Sequence, residues 1–170
     1  MEMKVISLSK RKIQKTNAVR MLEQKKIPFT TEEYTVKENH AGAKDTAKQL
    51  GIEVSDIFKT LVAVGNKTGP IVAVIPGDKE LSLKKIAKVS GNKKVEMLHQ
   101  KDLEPLTGYV HGGCSPVGMK KQFPTFFAKE AENLTVFHCS AGMRGLQLTI
   151  NPKDLVDLLD SEFVDITEPK

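Results

Sequence analysis

Gly112-Gly113-Cys114-Ser115-Pro116-Val117-Gly118-Met119-Lys120-Lys121 gathers three glycines, a proline and two lysines in a short run. Glycine leaves backbone N–H groups unshielded, which suits close approach of a ligand carbonyl or phosphate, and the lysines add positive charge beside the opening. Glycine and proline also mark ordinary turns, so the loop alone leaves both readings open. A second reactive position is Lys59, inside the apolar, β-branched run Asp56-Ile57-Phe58-Lys59-Thr60-Leu61-Val62-Ala63-Val64. Period-two alternation puts it on one face with Ile57, Leu61 and Ala63, so its ammonium is partly desolvated or reaches into a cleft. The competing role is an edge-strand lysine that blocks sheet-to-sheet pairing. A third segment, Ser140-Ala141-Gly142-Met143-Arg144-Gly145-Leu146-Gln147-Leu148, is a turn entering a strand with Leu146, Leu148 and Ile150 on one face and Gln147 and Thr149 on the other.

In this order the three segments resemble the YbaK/EbsC family of aminoacyl-tRNA deacylases, close to its Cys-tRNA(Pro) deacylase branch. The resemblance runs over about 16–166. It takes in Ile27-Pro28-Phe29, Tyr34, Phe58-Lys59-Thr60-Leu61, Lys93-Lys94-Val95-Glu96-Met97, Thr107-Gly108-Tyr109-Val110, the glycine loop and the 140–148 segment. It implies a mixed α/β fold, a single domain in which a barrel-like mixed sheet is surrounded by helices, acting on mischarged tRNA. The expected domain spans 16–170, preceded by a basic tail over 1–15 that carries Lys10-Arg11-Lys12 and Lys15.

The reaction so implied is cleavage of the ester that joins an amino acid to the terminal ribose. Such an ester needs positioning and stabilisation of an oxyanion, and no protein nucleophile. By resemblance, Lys59 positions the substrate and Gly112 and Gly113 are the backbone candidates for the aminoacyl carbonyl. Tyr34, Thr60, Ser115, Pro116, Ser140, Gly142 and Gln147 are assigned to substrate binding, and Lys120, Lys121 and Arg144 to tRNA. In the cysteine-specific branch the substrate's own thiol attacks its ester and releases a thiolactone. One position departs from the family pattern. Where some members carry an acid after the arginine-glycine pair, this chain has Gln147, whose neutral carbonyl holds an α-ammonium by ~1 kcal/mol less than a charged partner would. Removal of alanine, or a non-catalytic module that holds tRNA beside a synthetase, are the alternative readings.

Other chemistry fares worse. Cys114 with His111 or His138 would make a nucleophile and base, but no orienting acid is evident. Cys114 and Cys139, the only cysteines, have no CxxC or zinc spacing and read as reduced thiols. His40, His99, His111 and His138 lack helical metal-site spacing, so neither metal nor cofactor is expected. Met21, Met97, Met119 and Met143 read as gap-filling residues, and no phosphate-loop or dinucleotide fingerprint occurs.

The chain has 170 residues, 39% of them hydrophobic, which is enough for one core and short for two. It has no apolar run long enough to span a bilayer and no secretory start, so cytoplasmic residence is expected. A net charge of +5 and a pI near 9.1 permit a polyanionic partner. The expected partners are tRNA(Pro) and, as a candidate, prolyl-tRNA synthetase, with neither membrane nor DNA. Lys84-Lys85-Lys88, Lys93-Lys94 and Lys120-Lys121 sit at helix and turn positions that suit phosphates without specifying bases.

The elements that must position these groups follow from periodicity and caps. Helices are predicted over 18–26 with Asn17 as cap, over 43–50 stopped by Gly51, over 83–89 capped by Ser82, and over 152–160 after Asn151-Pro152. Strands are predicted over 58–64, 71–75, 95–98, 134–138, 146–150 and 163–166.

Overall fold

The computed structural model describes residues 15–38 and 42–169. Lys10-Arg11-Lys12, nearly all of the expected tail and His40 lie outside the described residues. The elements are α1 (Asn17–Gln24), β1 (Thr30–Glu33), α2 (Ala43–Leu50), β2 (Phe58–Gly65), β3 (Gly69–Pro76), α3 (Leu83–Ser90) and β4 (Val95–Met97). There follow α4 (Leu103–Thr107), β5 (Thr125–Ala128), β6 (Phe137–Met143), β7 (Leu146–Ile150), α5 (Pro152–Leu158) and β8 (Phe163–Val164).

Two sheets form a mixed α/β domain. One has the order β4-β2-β3-β5-β8, antiparallel among β4, β2 and β3, and parallel from β3 through β5 to β8. The other is antiparallel, in the order β1-β7-β6. An isolated parallel bridge between Ile57 and His138 joins the head of β2 to β6. The rings of Phe58 and Phe137 lie 4.9 Å apart across the same junction, and Phe127 on β5 sits 6.2 Å from Phe137. All three rings are buried, so the seam between the sheets is closed by packed aromatic rings.

Local chemistry fixes the helix ends. Ser82 Oγ accepts from Lys85 N and Asn151 Oδ1 accepts from Lys153 N, each satisfying a donor left over in the first turn; Pro152 needs none. Gly51 stops α2 in the left-handed conformation. The cap of α1 is Thr16 rather than Asn17. Its Oγ1 accepts from Val19 N and donates to Ala141 O at 2.6 Å, so one hydroxyl both starts the helix and ties it to β6. Among the described residues no helix is long and apolar enough to cross a membrane.

Candidate active site

The head of β2, the chain after β1, the start of α2, the glycine loop and the β6–β7 hairpin enclose a cleft of about 400 Å³. Its walls include Lys59 and Thr60 from β2, Tyr34 and Val36 beyond β1, Ala43 and Thr46 from α2, and Leu103 from α4. His111, Gly112 and Cys114 come from the loop, Ser140 from β6, Arg144 from the hairpin turn and Gln147 from β7. Residues separated by more than half the chain thus meet. The cleft takes consecutive residues Ile57 to Leu61, because it wraps the end of the strand instead of lying on one pleated face.

The antiparallel register explains why the polar groups converge. Ser140 is the Cα partner of Gln147, and Gln147 is the partner of Glu32, so all three point from the same face in one row. Tyr34 is held just beyond that row by its N–H, which donates to Gly145 O at 2.9 Å. Two side-chain atoms in the cleft are buried without a partner: Thr60 Oγ1 and Gln147 Oε1. A buried polar atom left unsatisfied costs ~1–3 kcal/mol, and here both atoms belong to residues that line the cleft. Lys59, half-buried, has no ion-pair partner among the described residues, so its ammonium is available to an anion or a polarised oxygen.

The two loop glycines differ. Gly112 has φ +85°, is exposed, and its Cβ position would lie 3.4 Å from the Arg144 side chain. Its amide has no partner among the described residues and can donate to a carbonyl or oxyanion in the cleft. Gly113 is buried; its N–H donates to Val110 O at 2.9 Å, and a Cβ there would meet Arg144 N at 2.8 Å. It seats the loop on the β6–β7 hairpin.

Of the other residues singled out from sequence, Ser115 is fully buried, its Oγ accepting from Val117 N, and Pro116 is buried beside it. Gly142, at φ +108°, donates to Ser140 Oγ at 3.1 Å and packs on Thr16 and Tyr109. These three support the wall from behind. Lys120 and Lys121 are exposed outside the cleft, Lys120 Nζ donating to Pro105 O at 3.2 Å and Lys121 Nζ lying 5.9 Å from the Phe123 ring centroid. Ala43, Thr46 and Leu103 also line the cleft, and no sequence pattern singles out their faces; His111, weighed from sequence as a base for Cys114, lines it as well.

Cys114 reaches the cleft as a thiol. Burial pushes it up from 9.0 to about 12, offset in part by a hydrogen bond from Thr107, and burial does the same to Cys139. A nucleophilic thiolate needs the opposite shift. His138 is committed elsewhere: its Nδ1 lies 2.8 Å from Thr149 Oγ1, which donates to Glu32 Oε1 at 2.6 Å.

The model of the aminoacyl-tRNA editing domain matches residues 37–158. A protein of Enterococcus faecalis, named as a candidate Cys-tRNA(Pro)/Cys-tRNA(Cys) deacylase, EbsC, is 58% identical over 154 residues, covering 91% of this chain and 94% of its own. A proline–tRNA ligase of Geotalea daltonii is 32% identical over 112 residues, or 66% of this chain and 18% of the ligase. A solved structure described as a candidate trans-editing enzyme for prolyl tRNA synthetase superposes with a TM-score of 0.78 at 25% identity, covering 90% of this chain and 98% of that one.

Proposed function

The chain belongs to the aminoacyl-tRNA editing domain family, and from that premise we propose that it deacylates mischarged tRNA in trans, with Cys-tRNA(Pro) as its principal substrate. The observation that carries the reading is the pair of buried, unpartnered atoms, Thr60 Oγ1 and Gln147 Oε1, on residues that line one cleft with Lys59 and Gly112, whose amide is free among the described residues. An aminoacyl ester supplies what each lacks. Its α-ammonium donates to Gln147 Oε1, its ribose hydroxyl reaches Thr60, and its carbonyl oxygen receives the Gly112 N–H. Lys59 holds the terminal phosphate or the developing negative charge. The preference for cysteine is supported by the name of the Enterococcus relative.

The chemical step needs no nucleophile from the protein. The cysteinyl thiol attacks its own ester carbonyl, an S–C bond forms, and negative charge develops on the carbonyl oxygen at Gly112. The C–O bond to ribose then breaks, the ribose oxygen takes up the proton released by the thiol, and the thiolactone hydrolyses to cysteine in water. Fixing the ester close to its attacking atom supplies most of the acceleration in such a reaction. A site of this kind can be roomy, because proline and alanine bring no thiol.

The editing domain of this reading spans 16–170 with 1–15 as an appended basic tail, and it works in the cytoplasm, where tRNA is charged. Acceptor-stem contacts or a prolyl-tRNA synthetase supply tRNA identity. Deacylation of Cys-, Ala- and Pro-charged tRNA(Pro) tests the reading: cysteine is released fastest and proline is spared. Background rates for all three, with and without the synthetase, would leave only a tRNA-holding module.

A further inference from the structure

The tip of the β2–β3 hairpin and the turn between α3 and β4 are fastened by two asparagines that reach across to each other's backbone. Asn66 Oδ1 accepts from Lys93 N and Lys94 N, both at 2.9 Å. Asn92 Oδ1 accepts from Lys67 N at 2.8 Å and Thr68 N at 3.0 Å. Asn66 N donates to Lys94 O, and Asn92 Nδ2 is held by Thr68 Oγ1 and Ser90 Oγ. Gly65 leaves room for this clasp: a Cβ there would fall 2.2 Å from the Asn92 side chain.

The residues whose N–H groups are clasped include three lysines. Lys67, Lys93 and Lys94 are therefore pinned together by their backbone while their side chains are exposed. Lys94 pairs with Glu96 at 3.1 Å in a largely solvated contact, and Lys67 and Lys93 have no ion-pair partner among the described residues. Solubility asks only for dispersed charge; holding like charges side by side on a rigid turn costs stability unless an anion comes to meet them. The cluster also has a defined relation to the cleft. It stands at the far end of β2 from Lys59, about 20 Å away at ~3.3 Å per residue. The edge strand β4 runs back from it: Leu98 N donates to Val62 O, and the chain continues past exposed His99 and Lys101 to Leu103 on the cleft wall.

We infer that Lys67, Lys93 and Lys94 form a docking surface for the phosphate backbone of an RNA duplex, met when the single-stranded 3′ end of that RNA lies along β4 into the cleft. The inference rests on the proposed function for the identity of the RNA as tRNA. Lysines presented from turns contact phosphates without reading bases, which suits a stem held at a distance from the reacting ester.

The test is binding of uncharged tRNA by the full chain, followed by fluorescence anisotropy over a range of salt concentrations. A Lys67→Ala, Lys93→Ala, Lys94→Ala variant is compared with Lys25→Ala, Lys129→Ala, Lys153→Ala, which removes the same charge from exposed lysines elsewhere. The first variant is expected to weaken binding at least fivefold and to lower the slope of log Kd against log salt by about 2, since each phosphate contact contributes about 0.7–0.9. It should weaken a stemless oligonucleotide carrying only the 3′ end much less. Equal losses in the two variants, or an unchanged slope in the first, would overturn the inference. So would a fall in affinity for a synthetase with none for tRNA, which would reassign the surface to a protein. Because uncharged tRNA is the probe, an inactive wild type would sink the proposed function and leave this test standing.

Discussion

Glu32 stands directly opposite Gln147 across the β1–β7 ladder, and its carboxylate is fixed there by Thr149 Oγ1 at 2.6 Å and Thr30 Oγ1 at 3.1 Å. A carboxylate therefore lies one strand away from the neutral amide that faces the cleft. Directly opposed Cβ atoms are ~5 Å apart, so an α-ammonium held by Gln147 feels the charge of Glu32 as well. Glu32→Gln keeps the shape and removes that charge; its Oε1 can still accept from Thr149, while the contact to Thr30 reverses, the amide N–H donating to Thr30 Oγ1. Its expected effect is a KM for aminoacyl-tRNA raised by roughly 5- to 30-fold, the scale of 1–2 kcal/mol, with a smaller change in kcat. A purely structural role would leave KM alone and lower thermal stability instead; measuring both separates the two.

Lys59→Ala should abolish most turnover while the domain stays folded and soluble. The side chain has no ion-pair partner to lose among the described residues, so little of the fold depends on it. Its other role, guarding a strand edge, is the competing one, because Lys59 pairs with Ile75 of β3 on one side while β4 pairs with β2 only over Ala63, Val64 and Gly65. A variant that remains fully active would remove Lys59 from the site, and aggregation with activity retained would restore the guarding role. Rate and solubility are read on the same preparations.

The glycine loop also has a structural side. Gly118 has φ +82°, and a Cβ there would fall 2.8 Å from Ala18 N and Asn17 C, both backbone atoms at the start of α1. Gly118→Ala combines left-handed strain with a contact that cannot relax by moving a side chain, and should cost at least ~2 kcal/mol. Urea denaturation should show a lower midpoint with an unchanged slope. Lys120 and Lys121 follow directly, so their presentation should suffer in the same variant.

Much of this arrangement is legible in sequence where the signal is local. Ser82, Asn151-Pro152 and Gly51 act as the caps and stop that their types predict, and β7 occupies its predicted span. The misses are non-local. Thr30–Glu33 shows no apolar alternation, because β1 is an edge strand held only by β7. Thr125–Ala128 is a short strand whose partners, β3 and β8, are both parallel and distant in sequence. The β6 strand is expected over 134–138 and forms over Phe137–Met143, because Ser140-Ala141-Gly142 reads as a turn. The turn is Arg144-Gly145, tighter and later, and an irregularity between Ser140 and Met143 shifts the register so that Ser140 aligns with Gln147. The site follows the same division. Lys59, Thr60, Gly112, Ser140 and Gln147 can be picked out by type and order, whereas Glu32 looks like a solvated acid until the ladder brings it opposite Gln147.

Alkaline pH should unfold the protein through its thiols. Cys114 and Cys139 titrate near 12 when folded, against 9.0 for an unburied thiol, and burial raises Tyr109 too. Below pH 9 both states keep the thiols protonated and stability is unaffected by them. Between pH 9 and 12 only the unfolded chain releases these protons, so stability falls as pH rises, by about 1.4 kcal/mol per unit for each thiol. Chemical denaturation at pH 8 and pH 10.5 reads the difference. The same burial predicts that iodoacetamide labels neither cysteine in the folded protein at pH 8 and that Cys114→Ser retains catalysis; loss of activity on alkylation at that pH would make Cys114 a participant.

The attacking atom is the most discriminating prediction. Cys114 is a protonated thiol, His138 is engaged by Thr149 away from the cleft wall, and Gln147 is no base, which leaves His111 as the cleft imidazole through which a water mechanism would have to make its nucleophile. The substrate's thiol meets that need. Serine has nearly the same shape, and its hydroxyl, with a far higher pKa, is a much poorer nucleophile, so Ser-tRNA(Pro) should turn over far more slowly than Cys-tRNA(Pro) at saturating enzyme. The difference should lie in the single-turnover rate and not in affinity, because the contacts to ammonium, carbonyl and ribose are common to both. Mass spectrometry of the early products should find cysteine thiolactone before free cysteine accumulates. Equal single-turnover rates for the two substrates, with solvent oxygen entering cysteine directly and no thiolactone formed, would establish attack by water and turn the search to His111, Lys59 and Tyr34 as the groups that activate it.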